Sequence, residues 1–336
     1  MRRIALLALG FLAGCAPLGA SVQVPVPAVQ RFLTGNAADV VTATRGLWVL
    51  QGGGDDVDHN YVRMGEYGGG GDFVVLRASG GAEYNDYIFA LCRCDSVETL
   101  VFSGRESASD PDVVATILNA EAIFIAGGDQ SNYVKYWKGT PVEDAIHRVA
   151  AKPAPIGGTS AGMAILGEYV YSAMGMESLT SAVAMADPFA PDVTLERDFL
   201  ALPRLGGILT DQHLQERDRI GRTLVLLARI MNDGGSALPR AIAADRETAV
   251  HIDPANGSVK IHATGDHPSP FAWFISPTRL PDRCVPGQPL TLLDVDVYRI
   301  GPGGRFDLDD WKGSGGIRYR LGVRDGVLES SRGEAY

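Results

Sequence analysis

Residues 152–171 read KPAPIGGTSAGMAILGEYVY, and Gly158-Thr159-Ser160-Ala161-Gly162 within them is a G-x-S-x-G pattern. An extended segment with Pro153 and Pro155 leads in, and a helix-prone segment, 161–170, leads out. Strand, sharp turn and helix in that order would hold Ser160 strained and exposed, with glycines on either side leaving room for the crossing. Serine is a poor nucleophile at neutral pH. It needs a base beside it and N–H donors that can meet an oxyanion. With 41 glycines in the chain, the pattern alone is a weak signal, so its surroundings must decide.

Upstream, short apolar runs alternate with helix signals. Residues 46–50, 72–77, 97–102 and 122–126 read as strands, and 84–91 and 111–118 as helices. Asp110 stands at an N-cap with Pro111 at the first helical position. Apolar strands alternating with helices predict an α/β fold with a mostly parallel sheet covered on both faces. Gly127-Gly128-Asp129-Gln130 follows the 122–126 strand, and in a parallel sheet ligands sit beyond the carboxyl ends of the strands. If its strand neighbours that of Ser160, backbone N–H groups near Gly128 face the serine. The other reading of these glycines is a tight turn and nothing more.

Downstream, a short strand at 205–210 runs into Asp211-Gln212-His213. A helix is expected to continue to residue 231. His213 would then sit at the same kind of sheet edge as Ser160, where a neutral imidazole accepts the serine proton. Arg217, Arg219 and Arg222 follow; guanidinium groups near the serine would select carboxylates. A charged solvent face paired internally is the competing reading. Residues 241–252 read as one strand, Asn256-Gly257 as a hairpin turn, and the rest as a β-rich ending. Asp55, Asp56, Asp58 and His59 read as solvated loop groups capping a helix, with a metal site the rarer outcome.

The chain has 336 residues, 46% hydrophobic, with net charge −10. No basic tract marks a nucleic-acid footprint, and none is expected to bind. Met1-Arg2-Arg3 and an apolar run too short to span a bilayer precede Leu12-Ala13-Gly14-Cys15, which resembles a bacterial lipobox. That resemblance implies cleavage before Cys15 and its lipidation; secretion with cleavage after Ala20 is the alternative. Ala16 stands where inner-membrane lipoproteins usually carry Asp, so an outer-membrane address is expected. The expected organisation is a leader at 1–14, a tether at 15–44 and one α/β domain at 45–336. Among Cys92, Cys94 and Cys284, the first two are too close in sequence to pair easily, and a bridge from one of them to Cys284 is one expectation.

From 46 to 312 the chain resembles the cyanophycinase-like serine peptidases, which include aspartyl dipeptidases. The resemblance rests on Gly127-Gly128-Asp129-Gln130, on Gly158-Thr159-Ser160-Ala161-Gly162, and on Asp211-Gln212-His213 followed by Arg217, Arg219 and Arg222. It implies a class-I glutamine-amidotransferase-like fold with Ser160 as nucleophile and His213 as general base. Gly128 and Ala161 would be oxyanion donors. Gln130, Gln212, Arg217, Arg219 and Arg222 would contact a β-linked aspartyl substrate. No metal or organic cofactor is implied. The expected partners are a β-aspartyl peptide and the lipid anchor, with a homodimer left open. In the family an Asp-Glu pair near the 241–252 segment supplies the acid that orients the histidine. This chain has Asp245-Arg246-Glu247, with Arg246 in the acid's place. Glu247 through a local shift, another acid, or a Ser-His dyad would then serve, and Glu247 is the expectation. An Asp211–His251 or Asp211–His267 arrangement of the α/β-hydrolase kind is the other order. A binding protein that has lost its acid is the alternative to an enzyme.

Overall fold

The computed structural model describes residues 29–265 and 267–336. The expected leader, Cys15 and the first part of the tether lie outside the described residues. Residues 29–35, expected in the tether, form a strand instead. Val29–Gly35 pairs antiparallel with Ser96–Phe102 along its whole length.

Two mixed sheets replace the expected mostly parallel one. The first orders its strands Val29–Gly35, Ser96–Phe102, Asp72–Arg77, Ala122–Ile125, Ile156–Thr159, Trp48–Gln51, Thr248–Ile252, Ser258–Ala263, Arg305–Asp307 and Lys312–Ser314. Only the run from Ser96–Phe102 to Trp48–Gln51 is parallel. These are the strands joined through helices, and their side chains are almost wholly buried, as parallel strands require. The second sheet has a shorter parallel centre, Tyr169–Tyr171, Ile208–Gln212 and Arg240–Ala244. Antiparallel hairpins from the β-rich C-terminal part extend both sheets.

Local chemistry explains most of the elements. Asp110 caps the helix Pro111–Asn119, accepting from the Asp112 N–H at 2.9 Å. Ala122–Ile125 is buried throughout, and each large apolar side chain there is worth about 1.5–3 kcal/mol. Three elements depart from expectation. The helix after Ser160 stops at Ala164, because Gly167 weakens a helix and the β-branched, aromatic Tyr169-Val170-Tyr171 favour a strand. Residues 213–219 form turns, with positive φ at His213 and Asp218, and the helix begins at Ile220. The single strand expected at 241–252 is two strands in different sheets, joined by a turn at Asp245-Arg246-Glu247.

Cys92 and Cys94, expected too close to pair easily, form a disulfide, and Cys284 is free and buried, so no bridge reaches Cys284. Arg93 between the paired cysteines takes a left-handed conformation that turns the chain back on itself. Among the described residues no helix is long and apolar enough to cross a membrane.

Candidate active site

Ser160 stands where the Ile156–Thr159 strand meets the Ala161–Ala164 helix, with φ 50° and ψ −117°. A serine in that region costs about 1–3 kcal/mol, supplied by the surrounding structure. Its N–H donates to the Gln51 carbonyl at 3.0 Å. Gly162 is obligatory: a Cβ there would lie 2.0 Å from the Ile125 oxygen. The Gly127–Gly128 loop follows the adjacent parallel strand, Ala122–Ile125. Gly128 lines the same cleft as Ser160, and Ala161 is the first residue of the following helix.

His213 arrives from the second sheet, not from the sheet that carries Ser160. The two sheets meet at the Gly52–Gly54 loop. The His213 N–H donates to the Gly52 carbonyl at 2.8 Å, and the Glu247 N–H donates to the Gly53 carbonyl at 2.6 Å. The imidazole lies against Gly53, where a Cβ would come within 2.1 Å of Nε2. Ser160 Oγ is 3.0 Å from His213 Nε2.

The acid on the other ring nitrogen is Glu216, whose carboxylate hydrogen-bonds to His213 Nδ1. The Glu216 N–H is itself held by Asp245 Oδ1 at 3.0 Å. Burial pushes the Glu216 carboxyl up, but the bond to His213 and the Arg217 and Arg246 charges pull it below the usual range. A carboxylate only accepts, so Nδ1 carries the proton and Nε2 presents its lone pair to the serine hydroxyl. Burial, with Arg217 and Arg219 nearby, lowers the His213 pKa despite Glu216. The imidazole is therefore neutral at physiological pH. The arrangement can take a proton from Ser160 and return it to a leaving group.

Glu247, the expected acid, turns away. It pairs with Arg246 and accepts from Thr264. Asp245-Arg246-Glu247 is a turn between sheets, with Glu247 at φ 55°, and not the interior of a strand, so no local shift brings its carboxylate to His213. Glu216 had a signal in the sequence, an acid three residues after the histidine. Asp211 offers no alternative relay, since it is bound to Arg222 and Thr223, and His251 is bound to Asn60.

A cleft of about 310 Å³ opens beside Ser160, and Gln130, Gln212, Arg217 and Arg219 line it. The Arg217 side chain is half exposed. Arg219 donates to Gln212 Oε1 at 2.6 Å, which fixes which end of that amide donates to a ligand. Burial, and then Arg222, lowers the Arg219 pKa to about 10, still charged at neutral pH. Gln130 Nε2 donates to the Tyr171 carbonyl at 3.2 Å. Arg222 is not a cleft residue. It is fully buried, paired with Asp211 and stacked 4.7 Å from the Tyr171 ring centroid. Asp129 and Glu177 add acidic groups to the cleft wall.

Residues 88–189 match the model of Peptidase family S51. That match takes in Ser160 and ends before His213. Cyanophycinase of Nostoc sp. is 25% identical over 226 residues, 66% of this chain and 68% of that one. Cyanophycinase of Synechococcus elongatus is 26% identical over 229 residues, 68% of this chain and 65% of that one. The chain resembles the S51 peptidases, and it is a serine-type hydrolase. The crystal structure of a peptidase from an acI-B1 Actinobacterium shares the fold, with a TM-score of 0.53 at 14% identity, covering 79% of this chain and 98% of that one.

Proposed function

We propose that the chain is an exported, lipid-anchored serine-type peptidase that hydrolyses β-aspartyl (isopeptide) linkages, in cyanophycin-like polymer or in isoaspartyl peptides. The observation that carries the catalytic reading is the 3.0 Å contact between Ser160 Oγ and His213 Nε2, with Glu216 on Nδ1. Ser160 Oγ attacks the scissile carbonyl while its proton passes to Nε2. Backbone N–H groups of Gly128 and Ala161 meet the oxyanion. The imidazolium, steadied by Glu216, then protonates the leaving amine, and water releases the acyl-enzyme by the reverse proton path. Arg217 and Arg219 take substrate carboxylates, and Gln130 and Gln212 add polar contacts. Asp129 and Glu177 suit a cationic portion, so a zwitterionic substrate fits the cleft.

The binding-protein alternative rested on Arg246 displacing the acid. With Glu216 on His213, no observation favours it. The lipobox-like Leu12-Ala13-Gly14-Cys15 supports lipidation at Cys15, and Ala16 supports an outer-membrane address. The Cys92–Cys94 disulfide supports an oxidising compartment.

The test is a panel of β-aspartyl and α-aspartyl dipeptides read by amine release. Release from β-linked peptides alone, lost in Ser160→Ala, supports the proposal. Equal cleavage of both linkages overturns the β-aspartyl assignment. A fluorophosphonate label on Ser160 that disappears in His213→Ala tests the mechanism independently of substrate. Incorporation of labelled palmitate, abolished by Cys15→Ser, tests the anchor.

A further inference from the structure

Three histidines outside the catalytic cleft come together from distant parts of the chain. His59 lies in the first turn of the helix Asp58–Tyr67, His251 on the strand Thr248–Ile252, and His262 on Ser258–Ala263. His251 pairs across the hairpin with Lys260, and Ala249 pairs with His262. His251 and His262 are therefore diagonal neighbours on one sheet face. Ring centroids are 4.3 Å apart for His251–His262 and 4.2 Å for His59–His262. One ligand-capable nitrogen from each ring lies within 4.8 Å of the other two.

Hydrogen bonds fix the tautomer of the buried member. Gln51 Nε2 donates to the Asp55 carbonyl at 3.2 Å, so Gln51 Oε1 accepts from Asn60 Nδ2 at 2.6 Å. Asn60 Oδ1 then faces His251 Nε2 at 2.7 Å and takes its proton. That leaves the Nδ1 lone pair of His251 for a ligand. An outer amide oxygen orienting one nitrogen while the other binds is the arrangement metal-bound histidines require.

We infer that His59, His251 and His262 form a binding site for a divalent transition-metal ion of the zinc class. Imidazole donors favour such ions over magnesium and calcium, which take oxygen ligands. Zinc–nitrogen bonds of about 2.0–2.1 Å place tetrahedral ligand nitrogens about 3.3 Å apart. The rings need close by only about 1.5 Å, and His59 is exposed and His262 partly so, leaving them room to adjust. The fourth position opens to the surface cleft that Asp253, Arg63 and Lys260 also line. A bound ion would clip the helix at residue 59 to a hairpin about 190 residues later.

The untagged full-length protein is titrated with zinc against a chromophoric chelator, and its melting temperature is followed with zinc, magnesium and EDTA. One zinc per chain, a melting temperature raised by zinc and not by magnesium, and reversal by EDTA are expected. Affinity should fall at least about tenfold in His59→Ala and in His262→Ala. Both positions are at least partly exposed, and circular dichroism checks that the variants fold. Absence of zinc binding overturns the inference. So does zinc that persists in both variants and is lost in His213→Ala, which places the ion on the catalytic histidine.

Discussion

His213 and the trio His59, His251 and His262 are imidazoles whose neighbours direct them to different chemistry. His213 has a carboxylate on Nδ1 and a hydroxyl on Nε2, so a proton has both an origin and a compensating charge. The trio has an amide oxygen on one ring and otherwise opens to a cleft that Arg63, Lys260 and Asp253 share. No described acid meets those rings as Glu216 meets His213, so their lone pairs suit a cation better than a proton relay. The environments also differ in construction. Glu216 reaches His213 across three residues of one turn, whereas the trio depends on a helix and a hairpin far apart in sequence.

The sharpest way to break this comparison is Glu216→Gln. Turnover of a β-aspartyl peptide should fall by about 10⁴-fold, because the tautomer and the imidazolium both lose their partner. Zinc affinity at the trio should not change in the same variant. Retained turnover would show that Glu216 does not orient His213. A second test concerns charge sealed beneath the cleft. Arg222→Met leaves Asp211 buried without its cation and should cost about 3–5 kcal/mol of stability, measured by denaturant unfolding. Burial raises the Asp211 carboxyl, but Arg222 more than offsets this and holds it low. That stability is present above about pH 4 and is lost on further acidification.

A smaller effect is the position of the acid limb of kcat/KM. His213 must be neutral to accept the serine proton, so activity rises as pH passes upward through its folded pKa. Burial lowers that value, so the limb should lie below about pH 6.5. The bond to Glu216 raises it, so residual activity of Glu216→Gln should titrate at still lower pH. The smallest expected effect is that of Glu247→Gln. Its carboxylate serves Arg246 and Thr264, so kcat/KM should stay within about twofold of the parent. A loss approaching that of Glu216→Gln would return Glu247 to the site.

Ser160 and His213 were legible as candidates because each lies in a local pattern: glycines spaced around a serine, and a histidine closing an apolar run. Glu216 was equally local, three residues from His213, but the turn at 213–219 was hidden behind a helical reading. Arg222, expected at the substrate, lies inside the helix Ile220–Asn232 and pairs with Asp211, while Arg217 and Arg219 precede that helix and line the cleft. Nothing local to the three arginines marks which guanidinium faces the cleft.

By itself the sequence determined the strand–turn–helix around Ser160, the parallel centre of the first sheet and the capped helix at Pro111. Sterics and hydrophobic patterning within a few residues set all three. Only the tertiary structure decided that His213 comes from a second sheet, that residues 245–247 cross between sheets, and that His59 joins a hairpin at His251 and His262. Those outcomes depend on which strands pair and where a chain leaves one sheet for another. Such choices are fixed by contacts between residues far apart in sequence, which no local pattern records.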